Sequence, residues 1–137
     1  MYVSICLIHE LFSLFKFLRI LSLFHCSALQ ELPDSVCNLE YLRSLDLSYT
    51  AIKKLTEKIC SLSHLQILIL NYCRDLEQFP TNLHLLTNLC RLEFIETKVM
   101  KLPPHLGKLK NLRVVMNSFN VVSKRRFAIK SKRDKTQ

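Results

Sequence analysis

Apolar residues recur along this chain in a frame that resets every 23 or 24 residues. Counting from Leu18, Leu42, Leu65, Leu89 and Leu112, the first, fourth and sixth positions of each unit carry Leu18, Leu21 and Leu23; Leu42, Leu45 and Leu47; Leu65, Leu68 and Leu70; Leu89, Leu92 and Phe94. Apolar residues at every second position describe a short strand with one buried face. Self-similarity at a fixed period of this length marks a solenoid, in which each unit buries its apolar side only against its neighbours. The fifth unit, beginning at Leu112, departs from the template with Asn117 at the sixth position.

The ninth position holds Cys26, Thr50, Cys73 and Thr97, small side chains able to hydrogen-bond the backbone where the chain turns inward after the strand. After Cys the next core residue comes three positions later (Leu29, Leu76), and after Thr it comes two later (Ile52, Val99), which explains the alternation of 24 with 23. The second halves read LPDSVCNL, LTEKICSL, FPTNLHLL and LPPHLGKL. Pro33, Pro80 and Pro103 sit where a fixed φ and a missing N–H suit the start of a helical turn, and Thr56 replaces the proline once. Val36, Leu39, Ile59, Leu62, Leu83, Leu86, Leu106 and Leu109 are then expected to point inward from the convex side.

The pattern resembles the leucine-rich repeat. The expected fold is an α/β solenoid, or horseshoe, of four to five repeats of 23–24 residues, with short parallel strands on its concave face and short helical or 3-10 turns on its convex face. Residues 1–17 read as the second half of a preceding repeat, because Ile8, Phe12, Phe15 and Leu18 fall where Leu32, Val36, Leu39 and Leu42 fall one unit later. This frame accounts for the apolar N-terminus better than a signal peptide or membrane anchor, since Glu10, Lys16 and Arg19 interrupt it. Residues 18–120 form the repeat domain, and residues 121–137 a basic tail expected to be disordered. Beginning inside a repeat, the chain reads as part of something longer.

Composition narrows the chemistry. A single glycine, Gly107, excludes both GxxxxGK[ST] and GxGxxG phosphate cradles. Of six cysteines, Cys26 and Cys73 share a register two repeats apart, about 10 Å at sheet spacing and beyond the roughly 7 Å a disulfide spans. Cys37 and Cys60 share a second register on adjacent repeats, but free thiols are the expectation. Cys6/His9 and Cys60/His64 are only zinc half-sites, so no metal or other cofactor is expected. Free thiols and the absence of an N-x-[ST] sequon suit a reducing compartment, the cytoplasm. The net charge is +9, of which residues 121–137 hold six, so nuclear import or anionic-surface binding through the tail stays open.

Strand residues between the buried leucines should line up in columns on the concave face. One column is Ser22, Asp46, Ile69, Glu93 and Met116; another is His25, Tyr49, Tyr72, Glu96 and Phe119, with Phe24, Ser48, Asn71 and Ile95 beside it. Ile67 and Arg91 stand two residues before Ile69 and Glu93. Phe24, His25, Asp46, Tyr49, Ile67, Ile69, Asn71, Tyr72, Arg91, Glu93, Glu96, Met116 and Phe119 are therefore the candidate partner-binding residues. Aromatics bury much area at small entropic cost, and Ile67 and Ile69 are expected to be exposed together. No serine, histidine or carboxylate falls at catalytic spacing, and the expectation is a non-enzyme.

At LRSLDLSYTAIKKL, LILNYCRDLEQFPTNLHLLTNL and KLPPHLGKLKNLRVV the chain resembles the leucine-rich-repeat region of plant NLR immune receptors of the coiled-coil class. The resemblance spans roughly residues 17–119. It implies a protein-binding role in the defence response, with the receptor's nucleotide-binding domain, a host guardee or a pathogen effector as partner. The family's coiled-coil and nucleotide-binding portions have no counterpart here, so ATP binding and switching are not implied. Ras-group intracellular repeat proteins, which act as signalling scaffolds, have similar units with a steadier period of 23. Extracellular plant receptor repeats carry an LxGxIPxxLGxL pattern whose first glycine is absent from every repeat. Protein is the expected partner; no small-molecule substrate or membrane is expected, and nucleic acid, through the tail, ranks behind protein.

Overall fold

The computed structural model describes residues 14–118. Five short strands form one parallel sheet in sequence order: β1 (Ile20–Ser22), β2 (Ser44–Asp46), β3 (Ile67–Ile69), β4 (Arg91–Phe94) and β5 (Val114–Asn117). Each central leucine faces its equivalent, Leu21 against Leu45, Leu45 against Leu68 and Leu68 against Leu92. The expected frame is thus the register of the sheet. β5 runs its full length despite the altered template, pairing Phe94 with Asn117.

Each connection back to the next strand contains a 3-10 turn: Asp34–Asn38, Glu57–Ser61, Leu83–Leu85 and Leu106–Lys108. The reason lies in spacing. Val36/Leu39, Ile59/Leu62, Leu83/Leu86 and Leu106/Leu109 are three apart, and three residues complete one 3-10 turn, so both members of each pair face the same side. All eight are buried, and the amide of each second member bonds the carbonyl of the first. Pro33 and Thr56 stand directly before their turns. Pro80 and Pro103 do not; there the 3-10 turns begin at Leu83 and Leu106, after Asn82 and a left-handed His105. Thr81 and Asn82 instead give their amides to the Glu57 carboxylate of the preceding repeat, at 2.7 and 3.2 Å.

The core is one continuous column of leucines, from Leu29 to Leu112. Leu18, Leu21 and Leu23 only half enter it, because no described strand lies beyond β1. Side chains at the ninth position stitch the inward turn as expected. Thr50 donates to the Leu47 carbonyl at 2.8 Å and Thr97 to that of Phe94 at 3.1 Å, while the Cys73 thiol reaches back one repeat to the same Leu47 carbonyl at 3.0 Å. At the other end of each repeat, Asn88 and Asn111 donate to the carbonyls of Ser63 and Thr87. His64 Nδ1 makes the equivalent contact with Glu40 at 2.9 Å. Side chains therefore tie neighbouring repeats to each other, at Cys73 on one side of the sheet and at His64, Asn88 and Asn111 on the other, around the apolar core.

Candidate functional site

Parallel pairing places Ser22, Asp46, Ile69, Glu93 and Met116 side by side, so the column read from the sequence is a physical row on the sheet's outer face. Beyond it, the chain turns sharply at the seventh and eighth positions of each repeat. His25, Tyr49, Tyr72 and Glu96 all adopt left-handed backbone conformations, with φ between 57° and 64°. Cys26 and Cys73 close the turn by donating to the carbonyls of Leu23 and Leu70. A positive φ at the third residue of such a turn favours glycine or asparagine. None of the four is either.

What the turn gains is a ladder of rings. His25 stacks on Tyr49 with centroids 4.3 Å apart and planes 15° off parallel, and Tyr49 stacks on Tyr72 at 4.7 Å and 11°. Phe24 meets both His25 and Tyr49 edge-on, at 4.4 and 5.3 Å, and the Arg74 guanidinium lies over the Tyr72 ring, 5.7 Å from its centre. A left-handed non-glycine residue costs about 1–2 kcal/mol; an aromatic pair returns about 0.5–1.5 kcal/mol beyond its buried area. The two terms are of one size, so stacking offsets much of the backbone strain and holds the ring edges outward in a fixed row.

Two halves of the face differ. In the N-terminal half, Ile20 is 69% exposed and Phe24 50%, apolar groups beside the ladder, and the ladder's own Tyr49 is 37% exposed. Ile67 and Ile69 continue the apolar groups but are half-buried rather than exposed together, because neighbours at strand spacing flank them on both sides. In the C-terminal half the candidates are engaged with one another. Glu93, expected to face a partner, is 8% exposed; its carboxylate accepts from Asn71 Nδ2 and from the Arg91 guanidinium, each at 2.9 Å. Asn71 Oδ1 in turn accepts the Ile95 amide at 2.9 Å. Asn71, Arg91 and Glu93 are thus a structural clasp between the third and fourth repeats. Asp46 is half-committed, accepting the Ser48 amide at 2.9 Å. Glu96 is exposed and Met116 half-buried, and Phe119 lies outside the described residues.

Arg74 had no place in the sequence frame, since it stands in the loop after the strand, yet it ends the ring ladder. The left-handed turns were equally unreadable, because the usual glycine or asparagine signal is missing at all four positions. Away from the sheet face, Cys26, Cys37, Cys60, Cys73 and Cys90 are free thiols. Burial, reinforced by nearby Asp34 and Glu57 respectively, pushes the Cys37 and Cys60 thiols up to about 11, so both stay protonated and poorly nucleophilic at neutral pH. Among the described residues no cluster of histidine, cysteine and carboxylate side chains could hold a metal, and no helix is long and apolar enough to cross a membrane.

Comparison with known proteins agrees with this architecture. A family model described as a leucine-rich repeat region matches residues 2–131. A protein of Arabidopsis thaliana provisionally named for disease resistance is 48% identical over 59 residues, 43% of this chain. The matched stretch is 4% of that protein's own length, so the chain corresponds to a small part of it. Among solved structures, a leucine-rich-repeat protein of Leptospira interrogans superposes with a TM-score of 0.70 at 25% identity, over 82% of this chain and 29% of its own.

Proposed function

Because the chain belongs to the leucine-rich repeat region family, we propose that it is a protein-binding module of the defence response, and that its binding surface is the N-terminal half of the sheet face. The observation that carries this reading is the ring ladder. Four repeats hold strained turns, and in the first three the strain serves to present His25, Tyr49 and Tyr72 in one rigid row beside exposed Ile20 and Phe24. Rigid aromatic edges are efficient contact groups, since little side-chain entropy is lost on binding. The similarity to an Arabidopsis protein named for disease resistance supports the defence context.

Within that context the finer role is the one expected of NLR repeats, contact with a nucleotide-binding domain, a host guardee or an effector, in the cytoplasm and without catalysis. The test is the paired substitution Tyr49→Ala and Tyr72→Ala in the full chain, in the organism that makes it. Partner association and the pathogen-triggered response are expected to be lost while circular dichroism shows the solenoid still folded, with its stability lowered by the lost stacking. An undiminished response from a folded double variant would remove the ladder from the function.

A further inference from the structure

The rim opposite the ring ladder carries exposed arginines. Arg19, Arg43 and Arg113 stand one residue before β1, β2 and β5, all exposed, and the backbone aligns the first two directly: the amides of Arg43 and Ser44 both donate to the Arg19 carbonyl. None of the three has an ion-pair partner among the described residues. Of the acids on the same face, Glu93 is held by Arg91 and Asn71, and Asp46 keeps its charge while giving one carboxylate oxygen to the Ser48 amide. Over the first two repeats the face is therefore bounded on one side by guanidinium groups without an ion-pair partner among the described residues, on the other by aromatic edges, and its floor carries exposed Ile20 beside Ser22 and Asp46.

We infer that the partner is an acidic protein segment whose carboxylates meet Arg19 and Arg43 and whose apolar side chains cover Ile20, Phe24 and Tyr49. The inference rests on the protein-binding reading above and specifies its partner. Arginine pairs with carboxylates through two parallel hydrogen bonds, and two long arginine side chains rooted about 5 Å apart can splay to acids on successive outward positions of an extended segment, about 7 Å apart. Arginine beside aromatic rings also suits single-stranded nucleic acid, which stacks its bases on open ring faces. Here the tyrosine faces are taken: Tyr49 lies between His25 and Tyr72, and Tyr72 carries Tyr49 and the Arg74 guanidinium. The tyrosines offer edges, which suit aliphatic and aromatic side chains of a protein.

The test uses the purified full chain and three fluorescent probes: a peptide of alternating glutamate and leucine, one of alternating lysine and leucine, and an oligothymidylate. Fluorescence anisotropy is expected to rank the glutamate peptide tightest, with binding weakened about tenfold or more by the exposed double change Arg19→Glu and Arg43→Glu. The basic residues 124–135 are present in both proteins, so the difference reads the rim alone. Equal binding of the lysine peptide, no response to charge reversal, or a rim-dependent preference for the oligonucleotide would each overturn the inference. If any of these occurs while Tyr49→Ala with Tyr72→Ala still abolishes partner association, the acidic partner is wrong and the protein-binding reading stands.

Discussion

Glu96 is the left-handed turn residue without a ring, and it isolates the backbone term of the ladder. Its φ is 57°, it is exposed, and its carboxylate joins none of the stacks. Glycine relieves a left-handed strain of about 1–2 kcal/mol against an added unfolded-state entropy of roughly 0.5–1 kcal/mol. Glu96→Gly is therefore expected to stabilise the chain by up to about 1 kcal/mol in urea denaturation. Destabilisation would mean that the turn is not strained. Residue by residue, legibility followed burial. The leucines announce themselves because a buried position tolerates few side chains, whereas a left-handed turn filled by His25, Tyr49 and Tyr72 has no compositional signal once glycine and asparagine are absent.

Between elements, the apolar core that joins repeat to repeat is supplemented by polar contacts at the ends of the strands and turns. Glu57 is the strongest of them by number of partners, accepting the Thr81 amide and hydroxyl at 2.7 and 2.8 Å and the Asn82 amide at 3.2 Å. The Thr81 hydroxyl and amide hold its carboxyl below the ordinary carboxylate range. A lowered pKa in the folded state means that the contribution is complete above the unfolded value, about 4.3, and is lost as pH falls through the folded one. In proton–nitrogen correlation spectra the Thr81 amide is expected to titrate with a midpoint below that of a free glutamate, and Glu57→Gln to abolish the transition. A midpoint at or above the ordinary range would dissolve the staple. At Pro80, read from sequence as the start of a turn, the next two amides are engaged across the repeat boundary and the 3-10 turn begins three residues on.

For the whole molecule, the sheet is uniform in register but not in surface chemistry. Its core repeats from Leu29 to Leu112 with little variation, which is why period and spacing sufficed to read the solenoid, the strand columns and the convex 3-10 turns. The variable positions line up in the columns read from the sequence, but spacing alone does not separate exposed members from those used internally. Tyr49 and Tyr72 share a column with Glu96, and Ile69 shares one with the clasped Glu93; only side-chain geometry distinguishes them. The consequence is a molecule with one open, aromatic half and one closed, polar half on the same face. A photo-crosslinking amino acid placed in turn at Phe24 and Tyr49, at Glu93, and at convex Lys58 and Leu85, in the full chain within the cell, measures this asymmetry directly. Adducts to protein are expected from Phe24 and Tyr49, with few from Glu93, Lys58 or Leu85. Adducts concentrated on Lys58 and Leu85, with none from Phe24 and Tyr49, would place binding on the convex side and contradict the assignment of the ring ladder.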